Sequence, residues 1–307
     1  MIALPTLLIT GASGFIGRHV VRALSGDRWQ IHGVVRHGAD PGVKGVTWHR
    51  TDLLRPGAAS NLIEQVRPEA IMHLAWNAMP GKFWEAPDNL DWMAASLELY
   101  RAFVANGGKR ALFAGTCAEY DWSHELLDEA DTPLKPATLY GTTKAALFQV
   151  LSAAAPRDGV ALAWARVFFL YGPFEAEARL VPYVIRALME ERPAECSAGT
   201  AERDFMHVED VAAAMIATLE NDYCGPINVA SGSCVPIHNI ILEIGNQLGR
   251  PELIRFGARP TPSGEPRRMA ASTTILQDKI GFRKPRSVGE GIAATIDWWR
   301  ARIKSGG

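Results

Sequence analysis

Tyr140 and Lys144 stand four residues apart at the head of a segment that runs on through Ala145, Leu147 and Val150. On a helix, that spacing puts a phenol and an ammonium on one face. A neighbouring cation favours the phenolate, so Lys144 is expected to lower the tyrosine pKa from about 10 and let Tyr140 give or take a proton at a carbonyl or alcohol oxygen. The pair alone is common on protein surfaces and gains weight from context. Leu112-Phe113-Ala114-Gly115-Thr116 reads as a strand ending in a hydroxyl that can hold the reacting oxygen. A cap or turn contact is the alternative role for Thr116.

A second set of residues suits a dinucleotide. The stretch from Leu7 through Gly11, Ser13, Gly14, Phe15, Ile16 and Gly17 reads as buried strand, glycine turn and helix start. Its spacing is GxxGxxG rather than GxGxxG. Glycines there leave room for a pyrophosphate, and a helix N-terminus turns its free N–H groups and positive dipole end toward it. Arg36 follows the second apolar run, where such folds discriminate the cofactor ribose. A guanidinium matches a 2′-phosphate, so NADP is expected over NAD, a solvated strand-end arginine being the alternative. Asp52, Leu53, Leu74 and Ala75 also fall at strand ends, the edge at which these sheets bind ligands. His73 is expected to be packed rather than catalytic.

These groups need a scaffold. Apolar runs at 31–35, 70–74, 110–114 and 160–167, separated by helix-length segments, predict an α/β fold: a doubly wound, Rossmann-like parallel sheet with a smaller C-terminal substrate-binding lobe. The dinucleotide-binding domain is expected over 1–172 with a return segment at about 203–230, and the lobe over 173–202 and 231–307. The chain has 307 residues, is 48% hydrophobic and 21% charged, and carries a net charge of -1. Scattered charge leaves no basic face for nucleic acid. Cys117, Cys196, Cys224 and Cys234 have no metal-ligand spacing and read as buried free thiols, and no metal is expected. With neither a signal-type start nor a membrane-length apolar run, a cytoplasmic protein is expected.

Five motifs in order make the chain similar to the extended short-chain dehydrogenase/reductases, the family of nucleotide-sugar epimerases, dehydratases and ketoreductases. They are Thr10 to Gly17, Thr116 four residues before Tyr120, Tyr140-x-x-x-Lys144, Arg166 to Pro173, and Arg203 to Asp210. The resemblance implies Thr116, Tyr140 and Lys144 as catalytic trio and a nucleotide-diphosphate sugar as substrate, with Arg203 and the loop around Glu265 on its diphosphate. Trp76, Cys117, Glu119 and Arg179 complete the expected substrate contacts. Dehydratases of the family carry Asp-Glu after the threonine; here stand Cys117 and Ala118, which disfavours dehydration unless Glu119 or another carboxylate replaces them. A ketoreductase acting at carbon 4 of a deoxysugar is therefore expected, with a 4-epimerase and a non-catalytic NADP-binding regulatory protein as alternatives. Relatives commonly pair as homodimers through two helices, for which the tyrosine helix and the segment 93–104 are candidates.

Overall fold

A computed structural model describes residues 4–24, 28–38, 40–261, 264–283 and 285–304. In chain order its strands are β1 (Thr6–Thr10), β2 (Gln30–Val35), β3 (Val46–Arg50), β4 (Ala70–His73), β5 (Arg110–Thr116), β6 (Leu126–Leu127), β7 (Ala161–Val167), β8 (Phe169–Tyr171), β9 (Ala194–Glu195), β10 (Glu202–His207), β11 (Gly225–Val229), β12 (Cys234–Pro236), β13 (Ile254–Arg255) and β14 (Arg268–Ala271). The helices are α1 (Gly17–Ala23), α2 (Ala58–Val66), α3 (Asp88–Ala105), α4 (Leu139–Asp158), α5 (Leu180–Met189), α6 (Val208–Leu219), α7 (Ile237–Leu248), α8 (Thr274–Asp278) and α9 (Val288–Lys304).

The uninterrupted apolar runs become strands buried on both faces. Seven strands form one parallel sheet in the order β11-β7-β5-β4-β1-β2-β3. Alternate residues feed two cores: Leu7, Ile9, Met72 and Leu112 meet Val20 of α1 and Met215 of α6, while Leu8, Ile71 and Phe113 meet Leu62 of α2, Leu99 of α3 and Leu147 of α4. The chain order reverses between β1 and β4, and ligands of doubly wound sheets bind at the carboxyl ends of strands flanking such a reversal.

A smaller sheet runs β12-β10-β14-β6, with β8 beside β10. A third core is built from α5, α7 and α9 through Val184, Leu188, Ile241 and Ile296. β11 joins the main sheet beside β7 and α6 packs on α1, but β10 belongs to the small sheet. The expected return at 203–230 thus begins only after His207. The reason is sequence-local: the polar run Glu202-Arg203-Asp204 pairs antiparallel with β12 instead of entering an apolar sheet interior. All four cysteines are free; Cys117 and Cys196 are buried, but Cys234 is half-buried and Cys224 exposed, against the expectation of four buried thiols. Among the described residues no helix is long and apolar enough to cross a membrane.

Candidate active site

The turn after β1 is shaped by contact with β4. Gly11 has φ +67°, and a Cβ there would lie 2.8 Å from the Ala75 backbone nitrogen; one at Gly17 would lie 2.1 Å from the Gly11 carbonyl oxygen. The Ser13 carbonyl accepts from Arg18 Nη2 at 2.6 Å, Phe15 meets His19 edge-on, and Ile16 packs into the core beside the exposed Gly14. α1 begins with no acidic residue and no capping side chain in its first turn. Thr10 Oγ1 accepts from the Leu74 and Ala75 N–H groups, both at 3.2 Å, and meets His73 Nδ1 at 2.7 Å. His73 Nε2 lies 2.9 Å from Ser96 Oγ, which itself donates to the Trp92 carbonyl at 2.7 Å. That chain of donors is satisfied by a neutral imidazole with its proton on Nε2. Burial holds the His73 pKa down at about 3, and the ring is packed, not catalytic.

At the next strand ends Arg36 Nε pairs with Asp52 Oδ1 at 3.0 Å, and Leu53 is buried beside them. The Arg36 guanidinium, still half-exposed, stands 6.0 Å from the Trp92 ring, whose indole N–H is buried without a partner. A turn that no side chain fills, an unpartnered donor and an accessible cation therefore follow one edge of the sheet. These residues fit a nicotinamide dinucleotide: the turn 11–17 suits the diphosphate, Arg36, Asp52 and Leu53 the adenosine end, and Leu74, Ala75 and Lys144 the nicotinamide ribose.

The residues read as a catalytic trio come together at the end of β5. Thr116 Oγ1 accepts from the Ala118 N–H at 3.2 Å, capping the one-turn helix Cys117–Glu119, and also hydrogen-bonds the Tyr140 phenol. The cap contact read as the alternative role for Thr116 is thus present. α4 comes this close because residue 141 is glycine: a Cβ there would sit 2.3 Å from the Ala118 carbonyl oxygen. Its first turn is held by Thr138, whose Oγ1 accepts from the Gly141 N–H at 3.1 Å. One turn along, Lys144 is 3% exposed, donates to the Ala114 carbonyl at 2.7 Å, and holds its ammonium 3.7 Å from the Trp76 ring centroid. Phe83, Trp84 and Trp76 surround the Tyr140 ring edge-on, at 4.9, 5.9 and 6.3 Å.

Electrostatically the pair departs from expectation. Burial raises the Tyr140 pKa above its ordinary value, opposed by the Thr116 hydrogen bond, and burial lowers Lys144 to about 7. Loss of hydration penalises both charged forms, and the nearby Glu119, which favours the ammonium, disfavours the phenolate. The phenol is therefore held as a neutral acid rather than poised as phenolate.

One expected substrate contact is placed out of reach. Glu119 is fully buried, pairs with Arg166 Nε at 2.8 Å, and accepts from Trp164 Nε1 and from the Thr116 N–H. Arg166 also donates to the Tyr120 hydroxyl, and Tyr120 donates to Asn228. Glu119 therefore supports the end of β5 from within the interior. Trp76 gives its N–H to Asn89 Oδ1 at 2.8 Å and one face to Lys144, stacks on Trp92, and stays partly exposed. Cys117 lies at the floor with its thiol pushed up to about 12 by burial. Arg203 and Glu265 do come together, with Nη2 and Oε1 2.9 Å apart, and Arg203 is close enough to Cys117 to stabilise its thiolate. Arg179 stands 5.6 Å over Phe83 and eases ionisation of Tyr140.

Three residues of the site carry no sequence signal of their own. Asn89, Phe83 and Glu175 belong to no motif, although the adjacent aromatics at 83 and 84 are a hint. Glu175 is a carboxyl with a buried, unpartnered Oε2, and burial raises it to about 8.

The model described as "NAD dependent epimerase/dehydratase family" matches residues 7–230. UDP-glucose 4-epimerase of Corynebacterium glutamicum is 24% identical, with 90% of this chain and 90% of that protein covered. GDP-6-deoxy-D-mannose reductase of Pseudomonas aeruginosa is 25% identical, with 97% of this chain and 98% of that protein covered. Among solved structures, MoeE5 in complex with UDP-glucuronic acid and NAD superposes with a TM-score of 0.83 at 28% identity, covering 97% of this chain and 99% of that one.

Proposed function

Because the chain belongs to the NAD dependent epimerase/dehydratase family, we propose that it is a nicotinamide-dependent enzyme that reduces a keto group, at carbon 4, of a nucleotide-diphosphate-linked deoxysugar. The observation that carries this reading is the geometry at the head of α4: the Tyr140 ring enclosed by Phe83, Trp84 and Trp76, with Lys144 one turn along, buried and held on the Ala114 carbonyl at the end of β5. A bound reduced nicotinamide supplies the hydride. Tyr140 gives its proton to the carbonyl oxygen as that oxygen becomes an alcohol, Thr116 orients the oxygen, and Lys144 offers its remaining N–H to the cofactor ribose. A tyrosine that burial keeps protonated is ready to donate, which favours reduction as the first step. Cys117 and Ala118 supply no acid–base pair for dehydration, and Glu119 is locked in its ion pair with Arg166.

Arg36 supports NADP as carrier, its charge only partly met by Asp52. Arg203, Glu265 and Arg179 are assigned to the nucleotide diphosphate. A cytoplasmic homodimer is proposed through α3 and α4, which expose Leu90 and Val150.

A 4-epimerase is the second reading, favoured by the UDP-glucose 4-epimerase among the relatives. It uses the same trio, but Tyr140 must first accept a proton. Incubating the protein with NADPH or NADH and a panel of nucleotide-linked 4-keto sugars, alongside UDP-glucose without added cofactor, separates the two. Consumption of NADPH with a 4-keto sugar supports the reductase. Turnover of UDP-glucose to its 4-epimer on tightly held NAD replaces it.

A further inference from the structure

Lys144 has three N–H donors and two visible engagements: one at the Ala114 carbonyl, 2.7 Å away, and one on the Trp76 ring, 3.7 Å from its centroid. An indole face is the strongest aromatic partner for a cation, and more so in a desolvated site. Trp76 is not free to rotate away. Its N–H is fixed on Asn89 Oδ1, and its ring stacks on Trp92 with centroids 6.2 Å apart. Asn89 is fully buried, and its Nδ2 donates to the Phe83 and Ala86 carbonyls, both at 2.8 Å. Phe83 is the ring that meets Tyr140 edge-on at 4.9 Å. One amide side chain thus fixes both the aromatic support of the lysine and the aromatic enclosure of the tyrosine.

We propose that Trp76 is a positioning residue that seats the Lys144 ammonium on its indole face, keeping it charged and aimed beside Tyr140, and that Asn89 locks this seat to the 83–86 segment. The inference rests on the reading of Lys144 as part of the reaction centre. Lys144 would otherwise lose charge in so dry a place. Around it stand the Ala114 carbonyl on β5, the anionic Glu119 beyond, neutral His73 on β4, and Tyr140 on its own helix. Glu119 is shared with Arg166 and Trp164, so the Ala114 carbonyl and the indole face are the neighbours that favour the ammonium at contact range, and the indole is the one a side-chain substitution can remove.

The test is a pH titration of Lys144 by 13C NMR on lysine-labelled full-length protein, its resonance assigned by loss in Lys144→Met. Wild type is expected to titrate well below the ordinary lysine range, as burial requires. Trp76→Phe, which keeps an aromatic face, is expected to lower the midpoint by a few tenths of a unit, and Trp76→Leu by about one unit. If the leucine variant does not fold, the phenylalanine variant alone decides by direction. An unchanged midpoint, or a rise in either variant, overturns the proposal. The dissociation constants of NADPH and NADH are measured on the same samples. Wild-type protein that binds neither cofactor sinks the functional reading while the titration still decides the seat.

Discussion

Two polar clusters lie on either side of the Thr116 backbone, and they are built on opposite terms. Below it, Glu119 takes donors from Arg166, Trp164 and the Thr116 N–H, and the network continues through Tyr120 to Asn228. Above it, Tyr140 and Lys144 are half-buried or buried with few partners and shifted pKa values, and Glu175 lies in the influence of Arg179 with an oxygen unpaired. The lower cluster is polar but closed: its charges neutralise one another and hold β5, β7 and β11 in register. The upper one keeps unsatisfied capacity, which costs stability and is where a ligand can make a difference. A charged side chain in a motif is thus not a ligand contact by virtue of its charge; the number of partners it already has decides.

Substitutions on the two sides should fail differently. Tyr140→Phe is expected to slow hydride transfer by ~10²–10⁴-fold while thermal unfolding stays close to wild type; an active Phe variant would erase the distinction between the clusters. Glu119→Ala leaves Arg166 charged in the interior with only the neutral Tyr120 hydroxyl among its side-chain partners, and is expected to destabilise the fold by about 3–5 kcal/mol in urea unfolding, with activity lost only through unfolding. Acid sharpens the contrast next. The folded-state pKa of His73 lies below its ordinary 6.5, at about 3, so its contribution is present above 6.5 and lost as the pH falls toward 3. Stability should therefore drop by up to ~1.4 kcal/mol per pH unit across that window, and His73→Asn should flatten the slope. A rising pH tests the contrast from the other side at Glu175, whose carboxyl is raised from 4.5 to about 8. For a raised value, stability is complete below 4.5 and is lost as the pH rises toward 8. Glu175→Gln should therefore stabilise the protein progressively across that window, by up to ~1.4 kcal/mol per pH unit, and leave it unchanged at pH 4; stabilisation at pH 4 as well would place the effect elsewhere.

Much of this is legible in the chain itself. Parallel strands announce themselves as unbroken apolar runs, and the turn at Gly11 to Gly17 and the Tyr140/Lys144 spacing depend on residues close in sequence. The sign of the Tyr140 shift is not legible, because desolvation depends on Phe83, Trp84 and Trp76, brought over the ring from segments far along the chain. Glu119 misleads for the same reason: its partners Trp164 and Arg166 come from β7, more than forty residues away. The position of β10 is missed because apolar content marks a strand but not which sheet receives it.

The pairing of β6 with β14 joins residues 126–127 to residues 270–271. About 140 residues must therefore follow β6 off the ribosome before that ladder can close. The nascent N-terminal portion can collapse around β1 to β5 early, whereas the small sheet waits on a contact of very long sequence separation, a slow class of event. Truncation before β14 should accordingly leave the large sheet formed and Leu126–Leu127 without their neighbouring strand.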